Sequence, residues 1–261
     1  MTDIFLDSNK IIGKIKPLHG VNNGPVSDHF WIDTSRYYKE IGVPYIRLHD
    51  TDLPSQRMVD TRHIFKDFSA DENDPSNYDF AFTDVLIGKI KACGAETIYR
   101  LGASIEHTEK KYFVFPPDDF EKYARICLNI IRHYNSGWAD GFYYDLKYFE
   151  IWNEPDLFEK MWNGGTPEQY YKFYEILTKM IKKEYPEAQV GGYAGCNAYC
   201  EEYFDGFFEH IKKTGAPIDF FSYHIYADDL RDFVKLNEHV NRKLNAHGYA
   251  ELPVILDEWN I

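Results

Sequence analysis

Short apolar runs rich in β-branched and aromatic residues alternate along the chain with longer stretches whose apolar residues recur at three- and four-residue steps. The first kind reads as strands buried on both faces, the second as amphipathic helices. Strands are predicted over 15–21, 43–49, 96–101, 147–152, 189–193, 218–226 and 253–257. A helix starts at Asp33-Thr34-Ser35, carries Tyr37, Tyr38 and Ile41, and is stopped by Gly42. A second, over 80–92, has Phe82, Val85, Leu86 and Ile90 at helical spacing and ends before Gly94. Phe120, Ala124, Cys127 and Ile131 mark a third. Thr166-Pro167-Glu168 opens a fourth with an N-cap, a proline in the first turn and an acidic side chain. Two more are predicted over 202–213 and 230–246. The alternation is interrupted only by a long polar segment, 50–77.

Seven β units alternating with six helices imply a parallel sheet with helical crossovers, either open or closed into a barrel. An open nucleotide-binding sheet would carry a phosphate loop after its first strand. Asn22-Asn23-Gly24-Pro25-Val26 has neither G-x-G-x-x-G nor G-K-[ST], and Gly191-Gly192-Tyr193-Ala194-Gly195 has the wrong spacing. The expectation is an α/β protein, a (β/α)8 TIM barrel that stops after strand seven. Residues 13–261 form the barrel, and 1–12 an extension in which Ile4–Ile12 could supply a strand to an accessory β-sandwich. No linker divides the chain further.

Composition narrows the partners. A net charge of −13 argues against nucleic acid and anionic membranes, which need clustered Lys and Arg. No apolar run approaches the ~18 residues of a membrane span, and the N-terminus lacks the basic and apolar regions of a secretory signal. The four cysteines, Cys93, Cys127, Cys196 and Cys200, form no C-x-x-C pair and no zinc motif, so a reduced cytoplasmic setting is expected. Aromatic residues are 17% of the chain. Tyr and Trp offer flat faces with a polar handle, which suits sugars.

In a parallel barrel every strand delivers its last residues to one face, where active sites are built. Strand two ends in Arg47-Leu48-His49-Asp50, and strand three gives Arg100, with Ser104 and Glu106 beyond it. Strand four ends in Trp152-Asn153-Glu154-Pro155. Strand six gives His224 and Tyr226, and strand seven ends in Asp257-Glu258-Trp259-Asn260. Two facing carboxyls are what glycosidic cleavage requires, one protonated to aid the leaving oxygen and one ionised. The same pair could hold a metal, but the close His pair common in metal barrels is missing. No metal and no cofactor are expected.

Ile151-Trp152-Asn153-Glu154-Pro155 resembles the acid/base motif of the retaining glycoside hydrolases of clan A, which are (β/α)8 barrels. Trp-Asn-Glu-Pro arises by chance at about one position in 10⁵. The clan's nucleophile Glu closes strand seven, where Glu258 lies. His19-Gly20-Val21-Asn22-Asn23-Gly24-Pro25, Arg47-Leu48-His49-Asp50, Tyr78-Asp79-Phe80 and Tyr223-His224-Ile225-Tyr226 make the chain most similar to glycoside hydrolase family 39, known for β-xylosidases and α-L-iduronidases.

The resemblance implies Glu258 as nucleophile and Glu154 as acid/base in a two-step hydrolysis with retention. It implies Asn153 on the sugar 2-hydroxyl, Arg47 as the cation beside Glu258, and Tyr226 as a donor to Glu258. His49, His224 and Trp259 are further substrate contacts, and Trp152 and Phe113 are candidate stacking platforms. Glu106 and the acidic cluster Asp67, Asp71, Glu72 and Asp74 read as solvated, and 50–77 as a loop over the mouth. The expected substrate is a small xylo-oligosaccharide, because strand-end cations for a uronic acid are few. Another β-glycoside is the alternative. A sugar-binding barrel without activity is the third reading, since strand eight is absent. The sequence carries no signal for oligomeric state.

Overall fold

The computed structural model describes residues 7, 9–13, 16–27, 30–51 and 57–261. Seven parallel strands form one sheet in chain order: β1 (Val21–Asn22), β2 (Tyr45–Leu48), β3 (Glu96–Leu101), β4 (Tyr148–Ile151), β5 (Gln189–Gly195), β6 (Phe220–Tyr226) and β7 (Val254–Asn260). The main helices are α1 (Ser35–Ile41), α2 (Ala81–Cys93), α3 (Phe120–Ser136), α4 (Pro167–Glu184), α5 (Glu201–Thr214) and α6 (Leu230–Ala246). This is the expected barrel, nearly closed. The eighth strand that would complete it is absent from the described residues. Across the seam, Asn22 Nδ2 donates to the Asp257 carbonyl oxygen at 3.0 Å. No helix among the described residues is long and apolar enough to cross a membrane.

Local chemistry places the ends of the elements as the pattern implies. Gly42, Gly94 and Gly137 close α1, α2 and α3 in the left-handed conformation, which a residue without Cβ adopts at no steric cost. Thr166 and Gln169 form a reciprocal capping box on α4 with Pro167 behind the cap. The core between sheet and helices is aromatic. Trp152 meets Trp162 edge-on at 5.1 Å, and Tyr193 meets Phe207 at 5.1 Å and Phe221 at 5.4 Å. Much of the aromatic content is therefore core rather than sugar platform.

Three expectations change. The first strand pairs only over Val21–Asn22. It has a neighbour on one side alone, and Pro17 has no N–H to give a ladder. The segment 50–77 is not simply a loop: Met58, Val59, Ile64 and Phe65 are fully buried, around a helical turn at Thr61–Ile64. On α2 the buried stripe is Leu86, Ile87, Ile90 and Cys93, while Phe82 and Val85 face outward. Residues 1–6 and 8, most of the anticipated 1–12 extension and part of its Ile4–Ile12 strand, lie outside the described residues. Ile11 and Ile12 are exposed.

Candidate active site

The C-terminal strand ends converge as the barrel requires, and two ladder irregularities aim the key side chains. Between β5 and β6 the register passes from Tyr193↔Ser222 to Gly195↔Tyr223, leaving Ala194 bulged. The Ala194 carbonyl accepts from the Glu154 N–H at 3.0 Å, and its own N–H donates to Ser222 Oγ at 3.0 Å. Between β6 and β7 the register passes from Tyr223↔Leu256 to His224↔Glu258, leaving Asp257 bulged. A bulge cancels the period-two alternation of side chains, so Asp257 and Glu258 both reach the charged centre. Trp152 and Glu154 hold left-handed backbone, with φ of 68° and 43°. That conformation is uncommon without glycine and tends to cluster at functional sites. Gly102 permits it, because a Cβ there would sit 2.9 Å from Trp152 Cα.

Glu154 and Glu258 face one another, each with a carboxylate oxygen inside a group whose members all lie within 4.8 Å; His224 is its third member. Arg47 is the hub beneath them. Its guanidinium donates to Glu150 Oε2 at 2.7 Å, to Asn153 Oδ1 at 2.7 Å and to Glu258 Oε2 at 3.2 Å. Asp257 Oδ2 lies 3.2 Å from its Nε. Asn153 is thereby oriented through its oxygen, while its buried Nδ2 has no partner. Tyr226 donates to Glu258 Oε1 at 2.5 Å. Burial, then the hydrogen bond to Glu258, raises the phenol pKa, so it stays a donor.

His224 bridges the two sides. Nδ1 is 2.8 Å from Glu154 Oε1 and 3.7 Å from Glu258 Oε2, and Nε2 is 3.3 Å from Asp257 Oδ1. The last is within ion-pair distance, although its geometry is not that of a hydrogen bond. Burial opposes charge on this ring, but the contacts with Asp257 and Glu154 outweigh it and push the pKa up to about 10. His49 goes the other way. Burial and the Arg47, Arg100 and His224 charges hold it well below its ordinary value, and it stands 3.9 Å from Glu258 as a neutral ring. Burial, reinforced by Asp257 and opposed by Arg47, raises Glu150 to about 8. Asp257 is the charged member of that pair: burial would raise it, but Arg47, Glu150 and His224 hold it well below the carboxylate range.

A family model for glycosyl hydrolases family 39 matches residues 8–260. The chain belongs to glycosyl hydrolase family 39. A β-xylosidase from Caldicellulosiruptor saccharolyticus is 31% identical over 182 residues, covering 65% of this chain and 34% of that one. One from Geobacillus stearothermophilus is 25% identical over 199 residues, 72% and 37% of the two chains. A glucosidase structure from Croceicoccus marinus superposes with a TM-score of 0.84 at 28% identity, over 96% of this chain and 52% of that one. A monomeric β-xylosidase from Caulobacter crescentus reaches 0.70 at 18% identity, over 98% and 55%, a likeness of fold. This family 39 chain thus spans about a third of the length of these curated relatives and about half that of these solved ones.

The remaining site residues divide. Trp259 follows Glu258 on β7, is more than half exposed and meets Phe233 of α6 edge-on at 5.9 Å, so its ring packs toward the helix layer. Trp152 is fully buried, its Nε1 donating to the Met161 carbonyl, and offers no face to a sugar. Phe113 has Arg57 over its ring at 4.4 Å. Glu106 is not solvated. It is buried, accepts from the N–H groups of Tyr112, Phe113 and Val114, and pairs with Arg57 at 3.3 Å, organising the loop after β3. Glu72 pairs with Arg125 at 2.7 Å rather than lying free. Glu150 is absent from the sequence-derived site, and Asp257 was named there only as a strand end without a role. The signal for Glu150 was a carboxylate inside the doubly buried run Phe149-Glu150-Ile151, which demands a cation.

Glu154, His224 and Glu258 are close enough to surround an ion, but their chemistry does not suit one. His224 Nδ1 is committed to Glu154 and the ring favours the protonated form, whereas a ligating imidazole is neutral. A cavity of about 890 Å³ lies between the loops after β3 and β4, lined by Phe115, Asp118, Asp119, Asn163 and Gln169 and by none of these site residues. A second, of about 200 Å³, opens beside Asn22, Asn23 and Thr51 at the barrel mouth.

Proposed function

We propose that the protein hydrolyses β-glycosidic bonds with retention, Glu258 acting as nucleophile and Glu154 as acid and then base. The observation that carries this is the carboxyl pair itself. An oxygen of one group lies within 4.8 Å of an oxygen of the other, a close approach that supports the short carboxyl spacing (~5–5.5 Å) of double displacement. Glu258 attacks the anomeric carbon while Glu154 protonates the departing oxygen. Glu154, now ionised, takes a proton from the water that cleaves the glycosyl ester. Arg47 and Tyr226 orient Glu258 as an anion, and Asn153 Nδ2 is placed to donate to a hydroxyl beside the reacting carbon.

The curated relatives named β-xylosidases favour a β-xyloside as substrate, with xylose released from short xylo-oligosaccharides as the proposed reaction. The Croceicoccus marinus glucosidase favours a glucoside as the second reading. A 2-deoxy-2-fluoro-β-xyloside and its glucoside counterpart, each with an activated leaving group, test both points at once. The expected result is a covalent sugar on the peptide containing Glu258, formed faster with the xylose reagent. Label on another carboxylate would remove the nucleophile assignment, and faster labelling by the glucose reagent would reverse the sugar preference.

A further inference from the structure

Retention needs one group, Glu154, to release a proton in the first step and recover one in the second, so whatever faces its carboxyl matters. That neighbour is His224, with Nδ1 2.8 Å away. A ring held at one edge alone could turn. The opposite edge, Nε2, meets Asp257 Oδ1 at 3.3 Å. Asp257 is there because it is the extra residue of the β6–β7 bulge, with no partner on β6. In a regular ladder it would point away from the face that Glu258 uses. Its side chain is 2% exposed, and neither oxygen makes a conventional side-chain hydrogen bond that would explain its burial. A carboxylate is costly to bury unless cations face it. The cations here are Arg47 on one oxygen and His224 on the other.

We propose that Asp257 is a positioning residue of the acid/base machinery: bulged out of β7 beneath the nucleophile, it holds His224 by its far nitrogen so that the near nitrogen serves Glu154. The inference rests on the glycosidase reading and adds a member to it. The charged and titratable groups facing His224 are Glu154 at the end of β4, Asp257 and Glu258 on β7, and Arg47 and His49 at the end of β2. Of these, only Asp257 approaches Nε2. As the proton leaves Glu154 for the glycosidic oxygen, the new carboxylate finds an oriented imidazolium beside it. No other atom needs to move.

The test is Asp257→Asn, which keeps the shape and removes the charge. The His224 titration is followed by NMR of ring-labelled histidine, assigned with His224→Gln. In the native protein His224 should titrate far above its ordinary value of about 6.5. In Asp257→Asn it should fall by at least about one unit, the linkage expected for loss of a facing charge. Kinetics should divide by leaving group. Hydrolysis of an unactivated disaccharide, which needs the proton from Glu154, should drop by roughly 10²-fold, and that of a dinitrophenyl glycoside by less than about threefold. Glu150→Gln, which removes a partner of Arg47 and Asp257 but keeps the Asp257 charge, should lower the titration by clearly less than Asp257→Asn does. An unmoved titration, an equal loss on both substrates, or an equal fall in Glu150→Gln would each overturn the proposal. Should Asp257→Asn fail to fold, native His224 titrating near 6.5 overturns it and a far higher value sustains it. If the native protein cleaves neither substrate, the glycosidase reading fails, while the NMR arm still decides whether Asp257 holds the ring.

Discussion

Arg47 shows what a single residue must be in this site. Its guanidinium serves two buried carboxylates, one amide and Glu258 at once. Only a planar fork with five donors can do that, which a lysine point charge cannot. Arg47→Met would leave Glu150 and Asp257 facing each other in the interior with one cation fewer. Removing one partner of a buried ion pair costs about 3–5 kcal/mol, so a large loss in unfolding free energy should accompany loss of activity. Chemical denaturation measures it. A change under about 1 kcal/mol would mean that His224 alone offsets the Asp257 charge, with Glu150 raised to about 8 and largely neutral.

At the level of elements, the bulges and tight contacts position the side chains. The Trp-Asn-Glu-Pro motif and the Glu ending β7 were legible because strand-end chemistry is local and motif-like. The inward turn of Asp257 was not, and Glu150 was visible only as a carboxylate within a buried run. Strict alternation assigns neighbouring residues to opposite faces, and a bulge leaves no mark in the residue pattern. The core residues Met58, Val59, Ile64 and Phe65 were hidden for a related reason: they lie in a polar stretch with no sustained period. The contact of Gly102 with Trp152 gives this scale its own test. A Cβ there would meet the Trp152 Cα and indole at 2.9 Å, and neither can move freely under fully buried Trp152. Gly102→Ala should displace Asn153 and Glu154 by a few tenths of an ångström and lower kcat by roughly 10- to 100-fold, since small misplacements of reacting groups are expensive. Circular dichroism and melting should show the fold retained. A variant with unchanged kcat would show that the left-handed turn at 152–154 is held from elsewhere.

Across the whole molecule, a net charge of −13 is spread over a chain whose site charges are buried, and the exposed and buried groups respond to pH differently. His224 has a folded pKa of about 10 against an ordinary 6.5, so its contribution to stability is complete below about pH 6.5 and disappears as pH rises through 10. Glu150, raised to about 8 from 4.5, acts in the same direction over a lower window, because ionising it inside the barrel opposes folding. Asp257 is held low and acts oppositely, losing its contribution only as the solution is acidified below the ordinary carboxylate range. The unfolding free energy should therefore decline between about pH 4.5 and 10, through Glu150 first and His224 above about pH 6.5, by on the order of a few kcal/mol. His224→Gln should be less stable at neutral pH yet show a shallower decline above pH 7, with the Glu150 part remaining below pH 8. Denaturant titrations at pH 6, 8 and 9.5 separate the two. Parallel curves for native protein and variant would mean that the imidazole does not carry its extra proton in the fold. The barrel would then hold Glu154 beside a neutral ring, and the alkaline loss of stability would belong to the tyrosines and Glu150 instead.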